Sequence, residues 1–379
     1  MKAFVNAKIV LEKEIIENGA VTVKDGRIVA VGADISVPDG AQIIDCEGKY
    51  LAPGYVDIHV HGGGGASFSE DPIPAARHFL SHGETTVLPT LYYDYDKEGL
   101  IRAVGLVRAA MESGEANNIM GLYMECPYMN PKYGASPEKN KWRGEITREK
   151  YGELLDAAGD LARVWVVAPE REGILGFVKD VKLKNPGAVI SMGHTEATPK
   201  QVAALRDYGL TLMTHCMNAT GRPDTLVGVR SCGPDEACLM DKDMYAELIC
   251  DSEAIHVHVD TQQLLVAVKG YDKLVLISDS FVSYEESPEE LKHITDLSFD
   301  ANGLLSGSKL TLDVAVKNFM KHTGASLVDA VKMATINPAR AVHIDGEVGS
   351  IEAGKAANFV LLDGEYSVNA VFLGGSRVN

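Results

Sequence analysis

Pro53-Gly54-Tyr55-Val56-Asp57-Ile58-His59-Val60-His61-Gly62 carries the reading of the whole chain. Residues 56–60 are a short, largely apolar run bounded by glycines, the pattern of a buried strand. Side chains alternate with period two along a strand, so His59 and His61 project from one face and set two ring nitrogens side by side. Further strand candidates follow at 85–88, 119–124, 163–167, 189–192, 211–213, 246–250 and 274–277. Helical patterns separate most of them, at 74–81, 99–111, 199–207 and 262–269; 319–323 and 327–334 finish the outer helices. Alternation of strand and helix predicts parallel strands, since each crossover returns the chain to the same edge. Eight such units predict an α/β fold, a closed (β/α)8 TIM-like barrel rather than an open sheet.

The residues that follow these strands carry the chemistry. His59 and His61 follow the first, Glu125 the third, His194 the fifth and His215 the sixth. His256 and His258 follow the seventh and Asp279 the eighth. Barrel sites lie at the C-terminal strand ends, so residues far apart in the chain converge there. The other histidines, His78, His82, His293, His322 and His343, follow no strand. One strand-end histidine is most often a hydrogen-bonded structural residue; the weight lies in the joint pattern. Imidazole and carboxylate groups converging at one end are the donor set of a divalent metal site.

The flanks differ from this middle. Residues 3–10, 20–24, 27–31 and 43–45 read as short strands, with Asp25-Gly26 as a tight hairpin turn. Residues 358–363 and 368–373 read the same way. This predicts a small β-sandwich domain assembled from 1–52 and 341–379, and a hydrolase barrel over 53–340.

Bulk properties bound the partners. The 379 residues are 46% hydrophobic, enough for a large core, and carry a formal net charge of -17. With no basic excess to neutralise phosphates, a nucleic-acid or anionic-membrane partner is not expected. No apolar run reaches the ~18 residues of a membrane span. Residues 2–17 alternate and carry charges, unlike a signal peptide. The six cysteines form no CxxC pair and read as reduced thiols of a cytoplasmic protein.

The opening stretch resembles the first signature of the amidohydrolase superfamily. More narrowly, several segments resemble the N-acetylglucosamine-6-phosphate deacetylase family. They include Leu122-Tyr123-Met124-Glu125-Cys126-Pro127-Tyr128, Ala168-Pro169-Glu170 and Gly193-His194-Thr195-Glu196-Ala197-Thr198. Thr214-His215-Cys216-Met217-Asn218-Ala219, Ile277-Ser278-Asp279, Leu304-Leu305-Ser306-Gly307-Ser308, Asn337-Pro338-Ala339-Arg340 and the run from Gly349 to Asn358 extend it over nearly the whole chain. The resemblance implies metal-dependent removal of the N-acetyl group of an amino sugar phosphate, most simply N-acetylglucosamine 6-phosphate. It implies Glu125, His194 and His215 as metal ligands, with His59 and His61 holding a second ion in members that keep His-X-His. One or two divalent ions are expected, Zn2+ first, with Fe2+ or Mn2+ admitted by the same ligands. Asp279 is the implied general base, and His256 the implied partner of the scissile carbonyl, with His258 as an alternative. The implied substrate contacts are Ala135, Ser136, Asn218, Ala219, Arg222, His256, Leu305, Ser306 and Gly307, Arg222 meeting the phosphate. Lys139, Lys141, Arg143 and Arg230 are nearby basic loop residues, either assisting or merely solvated. A homodimer or larger homo-oligomer is also implied.

Departures from the family pattern lie on the substrate side. Cys126 stands where the family usually has glycine, as a small apolar filler or an extra soft ligand. Ser136 replaces a frequent histidine. The loop 220–228 is short, and Ser252-Glu253-Ala254 is longer than usual. Two other functions fit part of the pattern. One is an amidohydrolase acting on a related N-acyl amino sugar, a cyclic amide or an N-acyl amino acid. The other is a non-catalytic barrel acting as a scaffold, against which the full ligand set argues.

Overall fold

The computed structural model describes residues 1–223, 228–283 and 285–378. Its centre is an eight-stranded parallel sheet. The strands are β1 (Tyr55–Val60), β2 (Glu84–Tyr92), β3 (Leu122–Glu125), β4 (Ala162–Val167), β5 (Val189–Met192), β6 (Leu210–Met213), β7 (Tyr245–Ile249) and β8 (Leu274–Ile277). They pair in chain order. Between β8 and β1 the ring closes through the residues just past β8. Asp279 N–H donates to the His59 carbonyl and His61 N–H to the Ser280 carbonyl, both at 2.9 Å. The expected barrel is therefore present, and its seam runs through three of the expected site residues.

Every residue of β1, β3, β5 and β8 is buried. Strands covered by helices outside and packed side chains inside read as continuous apolar runs, which is why the sequence showed them. The helices at Pro72–Ser81, Lys97–Glu112, Pro199–Arg206, Val259–Lys269 and Leu327–Met333 match the sequence reading closely, whereas Leu312–Thr323 begins well before the expected 319. Those at Arg148–Ala158, Ile174–Lys184, Pro234–Met240 and Ile336–Ala341 were not foreseen. Each has a buried face of four or five residues.

Both chain ends build one mixed sheet. Strands Lys2–Val10, Ile15–Lys24, Arg27–Gly32, Gln42–Asp45 and Tyr50–Pro53 join Phe359–Leu362, Val368–Leu373 and Ser376–Arg377. The N- and C-terminal segments meet where Tyr50–Pro53 pairs antiparallel with Phe359–Leu362. This sheet has a core of its own, in which Phe4 meets Phe359 and Phe372 edge-on at 5.1 and 4.9 Å. Gly54 is the single residue between that sheet and β1. A Cβ there would overlap the Thr85 side chain at the start of β2. Gly54→Ala is therefore expected to destabilise the protein by about 1–3 kcal/mol, the usual cost of overpacking. Thermal unfolding would show it as a lowered Tm, and an unchanged Tm would contradict the close approach.

Candidate functional site

The mouth of the barrel gathers six of the expected residues into two groups, His59–His61–Asp279 and Glu125–His194–His215. Within each group the ligand atoms lie within 4.8 Å of one another, and all six residues are buried. Glu125, the last residue of β3, stands between the groups. Its Oε1 lies 2.8 Å from His194 Nε2 and 3.1 Å from His215 Nε2. Its Oε2 lies 3.4 Å from His59 Nε2 and 3.2 Å from His61 Nε2. Asp279 Oδ1 closes the first group, 3.5 Å from His59 Nε2 and 3.3 Å from His61 Nε2.

Backbone conformation aims these side chains. His194, His215 and Asp279 each sit two residues past a strand and take positive φ, 48°, 26° and 47°. Such left-handed backbone in non-glycine residues costs of order 1–3 kcal/mol and gathers at functional sites. It turns the side chains inward over the strand ends.

Several supports were missed from the sequence. Glu247, in the middle of β7, lies with Oε2 3.0 Å from His59 Nδ1, and the same oxygen accepts the His215 N–H at 3.2 Å. One carboxylate thus orients a member of each group, leaving His59 Nε2 to face Glu125 and Asp279. Asp57 accepts N–H bonds from His59 and Ser278 at 3.1 and 3.4 Å, tying β1 to β8. Tyr123 stacks on the His59 ring at 4.5 Å. A charged residue inside an otherwise apolar strand was the available signal: both Glu247 and Asp57 are 0% exposed.

Charge follows this geometry. Burial pushes the Glu125 carboxyl up, but the His59 charge and the bonds from His194 and His215 hold it well below the usual range. Burial likewise opposes ionisation of Asp279, and His59 with His61 reverses it to a net lowering. Burial lowers His61, yet its bonds with Asp279 and Glu125 carry it to about 9. His59 is raised well above its ordinary value against burial by Glu125, Asp279 and Glu247. Among the six grouped residues desolvation wins only at His194, which is lowered.

These residues fit a divalent cation. His59 Nε2 is buried with no hydrogen-bond partner. The Nε2 atoms of His194 and His215 face each other at 3.0 Å across one carboxylate oxygen. Nitrogen pairs with one or two oxygens are the donor chemistry of such an ion.

Over the groups opens a cavity of about 450 Å³, lined by His61, Glu125, His194, His215 and Asp279 at its floor. Ala135, Ser136, Asn218, Ala219, Leu305, Ser306 and Gly307 also line it. Tyr92, Asp94, Phe281 and Lys139 join them. Three expected contacts stand apart from that lining. His256 has Nδ1 3.0 Å from Asp251 and Nε2 3.1 Å from the Gly307 carbonyl oxygen, so both ring nitrogens are engaged. His258 is an exposed helix cap whose Nδ1 accepts the Asp260 N–H. Arg222 pairs with Glu236 at 2.8 Å. Of the loop 220–228, residues 224–227 lie outside the described residues. Cys126 packs in the hydrophobic core and belongs to neither donor group.

Comparison with known proteins follows the same line. The amidohydrolase family profile matches residues 50–378. The chain is similar to the N-acetylgalactosamine-6-phosphate deacetylase of Escherichia coli O157:H7, 28% identical over 97% of each chain. It is also similar to the crystal structure of N-acetylglucosamine-6-phosphate deacetylase from Pasteurella multocida, with 28% identity, a TM-score of 0.86, and 100% of this chain and 99% of that one covered. A mutant of the Mycobacterium smegmatis N-acetyl-D-glucosamine-6-phosphate deacetylase in complex with N-acetyl-D-glucosamine-6-phosphate matches with a TM-score of 0.82, at 27% identity over 99% of this chain and 98% of that one.

Proton competition makes the donor set testable. His59 and His61 are held protonated by the carboxylates, and a metal ligand must be neutral. Adding Zn2+ to metal-free protein near pH 7.5 is expected to release protons, with affinity rising as pH climbs through about 9, where His61 titrates. Uptake without proton release would contradict this charge pattern. Glu247→Gln should weaken uptake by about 10- to 100-fold, the usual scale for losing a ligand-orienting partner.

Proposed function

The chain belongs to the amidohydrolase family, and on that basis we propose that it removes the N-acetyl group of an amino sugar phosphate, N-acetylglucosamine 6-phosphate, giving glucosamine 6-phosphate and acetate. One observation carries the reading: Glu125, His194, His215, His59, His61 and Asp279 meet at one mouth of the barrel, beneath a cavity sized for a sugar. The likeness to deacetylases of 6-phosphorylated N-acetyl amino sugars, over nearly the full length of each chain, supports the substrate class.

Glu125, His194 and His215 would hold one divalent ion, Zn2+ first, with Fe2+ or Mn2+ compatible with the same donors. His59, His61 and Asp279 offer room for a second, with Glu125 between them. An ion held there would supply Lewis-acid polarisation of the acyl carbonyl and a more acidic water at neutral pH. Asp279, kept ionised by His59 and His61, takes the proton from the attacking water and returns it to the amine as the C–N bond breaks. Tyr92 and Phe281 flank His61 at ring distances of 5.7 Å each and limit water at the floor. His256 supports the wall rather than the carbonyl, through its contact with Gly307.

The setting proposed is the cytoplasm, with the enzyme working as a homodimer or larger homo-oligomer. All six cysteines are free thiols, five of them buried, and among the described residues no helix is long and apolar enough to cross a membrane.

Turnover of N-acetylglucosamine 6-phosphate, N-acetylgalactosamine 6-phosphate, dihydroorotate, hydantoin and N-acyl amino acids tests the reading. The phosphorylated N-acetyl hexosamines should be preferred; preference for a cyclic amide would overturn it. Asp279→Asn should cut kcat by about 10²- to 10⁴-fold, the usual scale for lost acid–base catalysis. Elemental analysis of that variant should still find the ion held by Glu125, His194 and His215. His194→Ala and His215→Ala should both lower bound metal, and unchanged content would refute their assignment.

A further inference from the structure

Resting on the ligand assignment of the deacetylase reading, we infer that Glu170 is a positioning residue that aims His194 at the metal ion. Strand β4 supplies no donor to either group. It lies between β3, which ends in Glu125, and β5, which leads into His194. Glu170 stands three residues past β4 and bonds to the segments that follow both neighbours.

A ligating imidazole is normally oriented by a hydrogen bond on its other ring nitrogen. His59 has Glu247 Oε2 at 3.0 Å from Nδ1, and His215 has the Asn218 carbonyl oxygen at 3.2 Å. His194 differs: its Nδ1 is buried with no hydrogen-bond partner among the described residues. Gly134, at φ 103°, lies against that nitrogen, and a Cβ there would come within 2.7 Å of it. With no bond on Nδ1 to steer the ring, its aim depends on the backbone turn that carries it. That turn is left-handed, with φ 48° at His194, a conformation that persists only where surrounding contacts over-determine it.

Glu170 supplies those contacts. Its Oε1 accepts the Glu196 N–H at 2.9 Å and the Asn130 side-chain amide at 2.8 Å. Its Oε2 accepts the hydroxyl of Thr195, which is buried. One carboxylate thus fixes the two residues that follow His194. Asn130 completes the strap: its backbone N–H donates to the His194 carbonyl at 2.9 Å while its side chain holds Glu170. The next residue, Arg171, anchors the same segment by donating to the Met129 and Trp142 carbonyls at 3.1 and 2.9 Å. The strap therefore ties the segment after Glu125 to the turn at His194, the two residues whose Oε1 and Nε2 lie 2.8 Å apart. Glu170 belongs to neither donor group and does not line the cavity, so it acts only through the turn. Without it the Thr195 hydroxyl and the Glu196 N–H lose their acceptor, and the left-handed turn loses its support.

Zn2+ affinity of metal-stripped protein, read by competition with a chromophoric chelator, tests the strap without turnover. Glu170→Ala should weaken binding by about 10- to 100-fold, the usual scale for a group that orients a ligand. Glu170→Gln should restore native affinity, because its amide oxygen keeps the two N–H donors and its amide nitrogen donates to the Thr195 hydroxyl. In a His194→Ala background, Glu170→Ala should add no further loss, the non-additivity of one residue working through another. Thr195→Val removes one bond of the strap with little change of shape; it should weaken binding by a smaller factor, and it reads the same strap if Glu170→Ala does not fold. Native affinity in Glu170→Ala or in Thr195→Val, or an equal further loss in the His194→Ala background, would overturn the inference. Unaltered protein that takes up no Zn2+ would remove the ligand assignment and the inference together. Uptake without hydrolysis of an N-acetyl hexosamine phosphate would remove the deacetylase reading alone, and the affinities would still judge Glu170.

Discussion

Two imidazole pairs face the two oxygens of one buried carboxylate, and the rest of the molecule is arranged to make that arrangement tolerable. Glu125 is 2% exposed, where an isolated carboxylate is costly. His194 and His215 approach one oxygen and His59 and His61 the other. Removing any of these partners leaves buried charge without compensation. The same concentration of unlike charge is what makes the place suitable for a divalent cation, because a cation can replace protons at the nitrogens without new negative charge being needed.

Holding those five groups together is work shared by the barrel seam. The hydrogen bonds that join the end of β8 to β1 come from Asp279 and His61 themselves, so closing the barrel and assembling the site are one event. Asp57 and Glu247 extend the arrangement into the strands, where packing fixes their rotamers more firmly than a loop would. The strained backbone at His194, His215 and Asp279 is sustained by that surrounding rigidity.

Toward solvent the logic changes. The cavity walls come from loops, and their charges are set by which side chains are already paired. Glu236 pairs with the exposed Arg222 and Arg230, while the Ser136–Asp300 bond joins two loops of the wall. Chemistry at the reacting bond constrains the floor tightly, whereas an anion can be met by any cation placed within reach.

The amino-acid sequence by itself determined the barrel and its donor residues. Runs such as 189–192 and 274–277 are apolar because both strand faces are buried, and that requirement leaves a local mark. Position after a strand likewise marks His194, His215 and Asp279, since the barrel sends all C-terminal strand ends to one face. Only the tertiary structure decided the pairings. Glu247 reads as one more residue in 245–249 until β7 brings it beside His59. Arg222 reads as an unpaired loop cation until folding brings Glu236 to 2.8 Å from it. Local pattern records what a residue's own segment must bury; electrostatic partnership depends on distances between segments, which exist only once the chain has folded.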